Sequence, residues 1–397
     1  MTIHDETGQI DMANVRRARA TTEMPVLAAI SKNYRTEIPF TGERIALCGH
    51  ITEATAVQVD TLRRLGAEVA WCASSTSTTD EGIRLAVIAD GVFVTGRKGM
   101  STQELDAGVR MVRDYWPSGP TLILDEGARL IRDFHLPGCQ TPLPRLAAEK
   151  TPEGISAIAG TPLSFPVLKS DDSLGKRLVD NPHGTSQSLI ATILDVTQKL
   201  LAGKVFLVFG FGRVGAGLAE KARGLGARVI VAETRPTRAL IAALSGFEVS
   251  PCMESLPLAD IVCTVTGRRG VLGRPHFDLL KNGVVLVNGG HLPFEIDVAA
   301  LKEQGAERPF SHGMSAHALS ENRTIYLVAD GHIANLTVGK GNPNEVMDVT
   351  FASQVMALVH AKGREFEARL HDLPKDSESE VAHYVAETLG LDVSRLA

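Results

Sequence analysis

The first residues that could support chemistry form a glycine-rich turn between a predicted strand and a predicted helix. The strand is Val205–Phe209, an apolar run rich in residues that favour β-structure. The turn contains Gly210, Gly212, Arg213, Val214 and Gly215. Glycines at this spacing allow a tight turn, a close approach of the backbone to a pyrophosphate, and close packing of the helix on the strand. Because the helix N-terminus also offers free N–H groups to phosphates, the turn predicts a dinucleotide site.

A single acidic residue favours one form of the dinucleotide. A second predicted strand, Arg228–Ala232, is followed directly by Glu233. A carboxylate here can accept hydrogen bonds from ribose hydroxyls and repels a 2′-phosphate, which favours NAD over NADP. Arg235 and Arg238 are close in sequence and weaken that preference. The alternative, an ordinary tight turn in a parallel sheet, does not account for the complete strand–turn–helix–strand–acid order.

A second polar group, Lys176, Asp180 and Asn181, lies just before this dinucleotide unit. On a helix, Lys176 and Asp180 would share one face. Taken alone, such a pair is most simply a surface ion pair of little energetic value. Its position beside a predicted nicotinamide site favours a substrate role instead, because substrates bind in clefts next to such cofactors.

Strands and helices alternate on both sides of these residues, and 397 residues exceed what one core usually serves. We therefore predict an α/β fold with two doubly wound parallel-sheet domains, the second a Rossmann dinucleotide-binding domain. Residues 1–186 with 345–397 should form the substrate-binding domain, and 187–344 the NAD-binding domain. The proline-containing stretch 133–164 breaks the alternation and is predicted to be a surface connection. The later strands predicted in the cofactor half are 248–250, 261–265, 284–287 and 324–328.

Composition excludes several classes of protein. Apolar content of 44%, charged content of 22% and a net charge of −5 are typical of a soluble globular protein without a nucleic-acid footprint. No stretch is long and apolar enough for a signal peptide or a membrane span, so we expect no membrane partner. The five cysteines have no paired metal spacing, which favours reduced thiols and a cytoplasmic location. His312 and His317 have no third ligand at a sensible spacing, so we expect loop histidines and no metal.

Ordered blocks along the chain resemble the S-adenosylhomocysteine hydrolase family, from about residue 22 to residue 390. The blocks are 48–56 (CGHITEATA), 65–71 (LGAEVAW), 77–81 (STTDE), 124–128 (LDEGA), 171–185 (DDSLGKRLVDNPHGT), 202–233, 264–267 (TVTG), 288–297 (NGGHLPFEID), 329–336 (ADGHIANL) and 351–357 (FASQVMA). The resemblance implies an enzyme with NAD as cofactor that oxidises the ribose 3′-hydroxyl of a nucleoside. The proton on carbon 4′ then becomes acidic, the 5′-thiol leaves, water adds, and the ketone is reduced again. It also implies a small-molecule nucleoside substrate and a homo-oligomer.

The resemblance further implies roles for individual residues. Lys176 and Asp180 would act at the 3′-hydroxyl, and His50 at the 5′-leaving group. The complete catalytic set is His50, Glu126, Lys176, Asp180, Asn181 and His291, with Glu126 standing where the family has an aspartate acid/base. The implied substrate-binding residues are Thr52, Thr55, Ser77 and Asn342. The implied cofactor contacts beyond the glycine turn and Glu233 are Ser188, Thr266 and Asn335.

Several positions depart from the family pattern, and most of them bear on the nucleoside. Ala54 stands where a glutamate helps to read adenine, and Asn342 replaces the histidine of a glycine-histidine-proline motif near the base. Thr79 replaces a glutamine. A glutamate that contacts the ribose aligns with Lys150, or with Glu149 if one residue is inserted. The redox and acid/base residues are therefore largely kept, while base recognition is altered.

Three hypotheses follow for function. The first is a true adenosylhomocysteinase. The second is a related enzyme that uses 3′-oxidation on another nucleoside and ends in hydrolysis, elimination or epimerisation, and the third is a catalytically silent NAD-binding paralogue that regulates a partner. Retention of Lys176, Asp180 and His50 argues against the third hypothesis, while Ala54 and Asn342 favour the second over the first.

Overall fold

The computed structural model describes residues 3–290 and 293–392, except for the side chains of residues 3–5. Its strands are β1 (Arg44–Gly49), β2 (Glu68–Ala73), β3 (Phe93–Thr95), β4 (Leu122–Asp125), β5 (Leu146–Glu149), β6 (Val167–Lys169), β7 (Val205–Phe209), β8 (Arg228–Ala232), β9 (Glu248–Val249), β10 (Ile261–Thr264), β11 (Val285–Asn288), β12 (Ala306–Ser311), β13 (Met314–Ser320), β14 (Arg323–Val328) and β15 (Leu370–Asp372).

The α-helices are α1 (Ile3–Thr22), α2 (Pro25–Asn33), α3 (Glu53–Arg64), α4 (Glu81–Ala89), α5 (Thr102–Arg113), α6 (Arg129–Phe134), α7 (Pro152–Ile158), α8 (Ser186–Thr197), α9 (Arg213–Gly224), α10 (Pro236–Leu244), α11 (Cys252–Ser255), α12 (Arg274–Phe277), α13 (Val298–Gln304), α14 (Ala334–Thr337), α15 (Asn344–Ala361) and α16 (Lys375–Thr388). A π-helix, Gly175–Thr185, contains the polar block predicted to act on substrate. None of the described helices combines the length and apolarity that a membrane span requires.

The chain divides into two compact units. Unit 1 comprises the chain up to Val179 together with the chain from Asn344 onward, and unit 2 comprises Asp180–Pro343. Unit 1 is built on a seven-stranded sheet with the order β15-β6-β5-β4-β1-β2-β3. All of its described pairings are parallel, which places the carboxyl ends of its strands at one edge.

Helix α15 brings the chain back into unit 1 and forms part of its core. Phe351, Ala352, Val355 and Met356 are buried in one hydrophobic cluster with the strands β1 and β2. A helix that is apolar around most of its circumference must be surrounded by protein. The core of unit 1 is therefore completed by a segment that follows the whole of unit 2 in sequence.

Unit 2 contains an eight-stranded sheet with the order β12-β13-β14-β11-β10-β7-β8-β9. The parallel strands β7 and β10 lie side by side at its centre, with α9 following β7 through the glycine turn. Strands β12 and β13 add an antiparallel extension at one edge. The fold is α/β with two largely parallel sheets, and the predicted fold class is confirmed.

Three local predictions from sequence were wrong. The stretch 133–164 is not a mere surface connection, because it contains β5, an internal strand, and α7. The run Leu146–Glu149 (LAAE) has little intrinsic β-preference, so the flanking strands β4 and β6 determine its conformation. The hairpin of β12 and β13 was not predicted as strands. His317 consequently lies buried in β13 and is not a loop residue.

Candidate functional site

Unit 1 brings three ionisable side chains together at the carboxyl ends of its central strands. His50 follows β1, Glu126 follows β4 and Lys150 follows β5. The distance from His50 Nε2 to Glu126 Oε1 is 3.1 Å, and Lys150 Nζ lies 2.9 Å from Glu126 Oε2. The exposed fractions are 9%, 6% and 6% for His50, Glu126 and Lys150. A carboxylate and an ammonium group buried together at this distance compensate each other's desolvation.

Polar groups lie close to both ring nitrogens of His50. Nε2 faces the carboxylate of Glu126, and a carboxylate can only accept a hydrogen bond, so a proton on Nε2 suits this side of the ring. The other ring nitrogen, Nδ1, lies 2.6 Å from Thr78 Oγ1 and 3.2 Å from Ser74 Oγ. In the neutral ring, Nδ1 then accepts a hydrogen bond from a hydroxyl group. The arrangement lets His50 pass a proton at Nε2 while its ring is held at Nδ1.

Two further carboxylates lie beneath this cluster and support its loops. Asp125 accepts hydrogen bonds from the N–H groups of Glu126 and Ile131, each at 2.8 Å. Glu149 accepts from the N–H groups of Gly127 at 3.0 Å and Ala128 at 2.8 Å. Burial raises the pKa of Asp125 to about 6 despite those N–H donors. Burial, together with the charge of Asp125, raises the pKa of Glu149 to about 8.

These contacts distinguish the roles of Glu149 and Lys150. Glu149 is the last residue of β5, fully buried, and its carboxylate also accepts from the hydroxyl of Thr151 at 2.6 Å. Lys150 contacts the predicted acid/base residue Glu126, and its Nζ lies 5.3 Å from the centre of the Phe351 ring of α15. A small cavity lined by Thr55, Glu126 and Lys150, among others, adjoins this pair. Lys150 is therefore the residue that faces the site.

The remaining unit 1 residues predicted to bind substrate lie around the start of α3 and the loop after β2. Thr52 caps α3 by accepting a hydrogen bond from Thr55 N at 3.3 Å. Ser77 N donates to Ser75 Oγ at 3.3 Å. Ala54 is buried in the first turn of α3, and the buried Thr79 hydroxyl has no hydrogen-bond partner among the described residues.

In unit 2 the glycine turn has the geometry that a dinucleotide requires. Gly210 has φ +96°, a left-handed conformation that favours glycine. A Cβ on Gly215 would lie 2.1 Å from Gly210 O, so only glycine allows α9 to pack there. A Cβ on Gly212 would have Arg238 Nη1, at 3.5 Å, as its nearest neighbour among the described atoms, so space lies in front of this residue. These residues and the N-terminus of α9, with Arg213 and Val214, fit a pyrophosphate.

Glu233 is held at the mouth of this turn by backbone groups. Its two carboxylate oxygens accept from Phe211 N and Arg235 N, each at 2.8 Å. Burial alone would raise the pKa of Glu233, but the backbone N–H donors outweigh burial and hold it below its usual value. An ionised carboxylate next to the turn fits a ribose with free hydroxyl groups and disfavours a 2′-phosphate.

Thr266 lies in a loop that is fixed by a buried glutamate, Glu295. The two oxygens of Glu295 accept from Thr266 N at 3.0 Å, Thr266 Oγ1 at 2.8 Å and Gly267 N at 2.8 Å. Burial raises the pKa of Glu295, and these donors oppose the rise. A Cβ on Gly290 would lie 1.6 Å from Glu295 Oε1, so this carboxylate requires a glycine beside it.

A hydrogen-bond network in unit 2 joins four of the predicted residues. Asn342 Nδ2 donates to Asp180 Oδ1 at 2.8 Å, and Ser188 Oγ donates to Asn342 Oδ1 at 3.0 Å. Asn335 Nδ2 donates to Ser188 Oγ at 2.8 Å. Asp180 is 1% exposed. The sequence assigned these residues separately to catalysis, substrate and cofactor, and the structure places them in direct contact.

Two further predicted catalytic residues lie on the π-helix. Lys176 and Asn181 are half-buried members of the π-helix Gly175–Thr185. His291 lies outside the described residues. No group of three or more potential metal ligands comes together within 3–290 and 293–392.

Sequence reasoning missed Glu295 and left Lys150 undecided. A signal for Glu295 was present, because the residue lies between apolar neighbours in the block 288–297, which already resembled the family. Of the partners of His50, Thr78 lies in the block 77–81 that resembled the family, whereas Ser74 carried no signal beyond its place in a serine- and threonine-rich loop.

Two family profiles match successive parts of the chain. Residues 181–341 match the profile described as S-adenosyl-L-homocysteine hydrolase, NAD binding domain. Residues 6–153 match the profile described as S-adenosyl-L-homocysteine hydrolase.

Curated relatives align over nearly the whole chain. An adenosylhomocysteinase of Sulfolobus acidocaldarius is 34% identical, covering 95% of this chain and 92% of the relative. An S-inosyl-L-homocysteine hydrolase of Methanopyrus kandleri is 35% identical, covering 95% of this chain and 90% of the relative. An adenosylhomocysteinase of Aquifex aeolicus is 34% identical, with coverages of 95% and 92%.

Proposed function

The chain belongs to the S-adenosyl-L-homocysteine hydrolase family of NAD-dependent enzymes, and we propose that it acts on a nucleosidyl thioether whose base is not adenine. The observation that carries the catalytic part of this proposal is the buried contact between His50 and Glu126, with Lys150 on the other carboxylate oxygen. A histidine and a carboxylate at this distance can exchange a proton with a reacting group. The altered base contacts carry the substrate part.

NAD fits the residues of unit 2. The left-handed Gly210, the space in front of Gly212 and the ionised Glu233 would hold its pyrophosphate and adenosine ribose. Bound there, NAD would supply the hydride acceptor for a reversible oxidation of the ribose of the substrate. The half-buried loop of Thr266, held by the buried Glu295, supplies a further preformed surface.

We assign the proton transfers and the substrate contacts to side chains of the protein. We assign Lys176 and Asp180 to the 3′-hydroxyl, where a cation beside a carboxylate assists removal of the hydroxyl proton. We assign His50 and Glu126 to the later proton transfers at carbons 4′ and 5′. We assign Glu126, whose Oε2 lies 2.9 Å from Lys150 Nζ, to accept a proton, and His50 Nε2 to donate one. Asn181, His291, Thr52, Thr55 and Ser77 are proposed to contact the substrate.

The proposal for the base rests on unit 1. Ala54 has no polar side-chain atom and cannot replace a carboxylate that accepts from the adenine amine. Losing such a partner costs about 1–3 kcal/mol. The buried and unpartnered Thr79 hydroxyl offers a single donor and acceptor in place of an amide. A base with a 6-oxo group, as in inosine, is the preferred candidate, and a relative named for S-inosyl-L-homocysteine is as similar to this chain as those named for adenosine.

Steady-state kinetics test the proposal. The holoenzyme is assayed with S-adenosyl- and S-inosyl-homocysteine, with release of homocysteine as the readout. We expect a higher kcat/KM for the inosyl substrate, and the Ala54→Glu variant should shift the ratio toward the adenosyl substrate. A wild-type kcat/KM of about 10⁵ M⁻¹s⁻¹ or more on the adenosyl substrate would instead make the protein an ordinary adenosylhomocysteinase.

We also propose a homo-oligomer in the cytoplasm. Leu240, Ile241 and Leu244 expose 59%, 56% and 79% of their surface on α10, an apolar face that a second copy could cover. The five cysteines are all unpaired, which suits a reducing compartment. Light scattering after gel filtration tests the oligomer, since a monomer in the micromolar range would contradict it.

A further inference from the structure

The carboxylate of Asp180 is held by one amide group. Its Oδ1 accepts from Asn342 Nδ2 at 2.8 Å and from Thr185 Oγ1 at 3.2 Å. A carboxylate accepts hydrogen bonds and donates none, so the nitrogen of the Asn342 amide must face it and the oxygen must point away. The orientation of Asn342 is therefore fixed by Asp180.

The oxygen of the same amide is also occupied. Asn342 Oδ1 accepts from Ser188 Oγ at 3.0 Å and lies 3.5 Å from Asn335 Nδ2. The second hydrogen on Asn342 Nδ2 is directed at Thr185 Oγ1, 3.3 Å away. An asparagine side chain has two donor hydrogens and two acceptor positions, and these contacts engage both the nitrogen and the oxygen of the amide. A base could be read by Asn342 only by displacing one of these contacts within the protein.

The backbone around Asn342 is fixed as firmly as its side chain. Gly341 N donates to Asn335 O at 2.7 Å, and Gly341 has φ +72°, which favours glycine. A Cβ on Gly339 would lie 2.1 Å from Thr192 Oγ1 of α8. The loop therefore approaches α8 and α14 at backbone distance, which sets the position of residue 342 independently of any ligand.

We propose that Asn342 is a positioning residue for Asp180 and not a reader of the nucleoside base. The inference rests on the proposed function, in which Asp180 acts at the 3′-hydroxyl. Asn342 orients the carboxylate of Asp180, and through Ser188 and Asn335 it ties that carboxylate to α8 and α14. Removing the amide leaves Asp180 in place but lets its carboxylate rotate, which slows oxidation at carbon 3′ for every nucleoside alike.

The test measures a single turnover of the holoenzyme, following reduced nicotinamide at 340 nm with adenosine and with inosine. Asn342→Leu, similar in volume but unable to hydrogen-bond, should lower the rate constant for oxidation about tenfold to a hundredfold with both nucleosides. The affinities and the adenosine-to-inosine ratio should stay unchanged. Asn344→Ala, whose side chain contacts Glu23 in unit 1, is the matched control and should oxidise both nucleosides at the wild-type rate.

A second variant tests the same contact even if Asn342→Leu fails to fold. Asn342→Asp places two carboxylates at hydrogen-bond distance, and such a pair shares one proton. With the proton shared, the new acid donates to Asp180 as the amide did, so oxidation should persist at acidic pH and fall as the pH rises. Lys176 and His183 on the π-helix and Lys221 against it are common to variant and wild type, so a loss confined to the variant reports the new pair.

The outcomes separate the two proposals. If wild-type protein forms no reduced nicotinamide with any nucleoside, the proposed 3′-oxidation fails and the role of Asn342 fails with it. If wild type reacts but the variants change only affinity or the adenosine-to-inosine ratio, Asn342 reads the base and the inference is overturned while the proposed function stands. NAD retention and the melting temperature of each variant show whether a rate loss comes from unfolding.

Discussion

The two units build their sites from different chemical groups. In unit 1, His50 and Lys150 each contact one carboxylate oxygen of Glu126, and all three side chains are buried. In unit 2, the carboxylate of Asp180 accepts hydrogen bonds from the amide of Asn342 and the hydroxyl of Thr185. The first arrangement suits the movement of protons among groups, and the second suits the fixed orientation of one group.

The two sites share one structural feature, a buried glutamate beneath a loop. In each, a buried glutamate accepts the N–H groups of the loop that carries the site: Glu149 in unit 1 and Glu295 in unit 2. In each, a glycine leaves room for the carboxylate, since a Cβ on Gly154 or Gly290 would lie 2.3 Å or 1.6 Å from it. In both units the result is a preformed loop at the carboxyl ends of parallel strands, where ligands bind in α/β folds.

The two units also differ in what a departure from the family pattern is expected to change, which is the reaction at Lys150 and the positioning of a side chain at Asn342. Lys150 contacts Glu126, the residue proposed as acid/base, so a change at Lys150 is expected to affect the reaction itself. Asn342 replaces a histidine of the family pattern but is absorbed into a hydrogen-bond network with no charge added. The two substitutions are therefore expected to differ in effect, with Lys150 acting on the chemical step and Asn342 on the support of Asp180.

The largest effect should come from removing one reacting group from each site. Lys176→Ala should abolish substrate-dependent reduction of NAD, whereas His50→Ala should still allow reduction but stop release of homocysteine. Each should lower kcat by about 10²–10⁴-fold, the usual contribution of acid–base groups. Stopped-flow absorbance and product analysis separate the two steps.

Arg177→Ala provides the control for this pair, because Arg177 is adjacent to Lys176 but contacts only Asp172 among the charged residues described near it. It should retain wild-type kcat. Normal turnover by both Lys176→Ala and His50→Ala would remove the assignment of one step to each group.

The next effect concerns the cofactor surface of unit 2. Gly212→Val should weaken NAD binding about a hundredfold, because its side chain would enter the space in front of the turn and displace the pyrophosphate. Fluorescence titration with NAD measures the loss. Gly224→Val, at the end of α9 with open space around it, is the control and should bind NAD normally. Unchanged binding by Gly212→Val would exclude the turn as the pyrophosphate site.

The buried glutamate of unit 1 should make stability depend on pH. The pKa of Glu149 is about 8 in the folded chain against an ordinary value of 4.5, so folding favours its protonated form. Its stabilising contribution is complete below pH 4.5 and is lost as the pH rises to about 8. The free energy of unfolding should fall by up to about 1.4 kcal/mol per pH unit over that window.

Urea unfolding followed by tryptophan fluorescence measures this in unit 1, because both tryptophans, Trp71 and Trp116, belong to it. Glu149→Gln, which does not titrate, should flatten the dependence. Glu295→Gln in unit 2 should leave the slope seen by the tryptophans unchanged. An equal effect of both variants would mean that the two units unfold together.

The smallest effect should be on the choice of dinucleotide. Glu233→Gln removes the charge that disfavours a 2′-phosphate but keeps most of the side chain, so NADP should gain about tenfold relative to NAD. Competitive binding of the two dinucleotides measures the ratio, with the exposed Glu220→Gln on α9 as the control. Comparable affinity of the wild type for NADP would already contradict the role of Glu233.

The dinucleotide unit and the fold class of this protein could be predicted from its sequence. The buried strand Val205–Phe209, the glycine spacing after it and Glu233 at the end of the next strand predicted the dinucleotide unit, since tight turns and close backbone approach need specific residues at specific separations. The alternation of strands and helices predicted the fold class. Both kinds of information reside within a few tens of residues, which is why they can be read without the tertiary structure.

The side chain that faces the site, among the neighbours Glu149 and Lys150, follows from the tertiary fold and not from the sequence. Successive side chains at a strand end point to opposite sides, so alignment alone could not separate Glu149, buried beneath the loop, from Lys150, in contact with Glu126. Asn342, which donates a hydrogen bond to Asp180, is 162 residues away from it in sequence. No local pattern encodes a contact of that separation, because it exists only when α8, α14 and the loop before α15 are packed together.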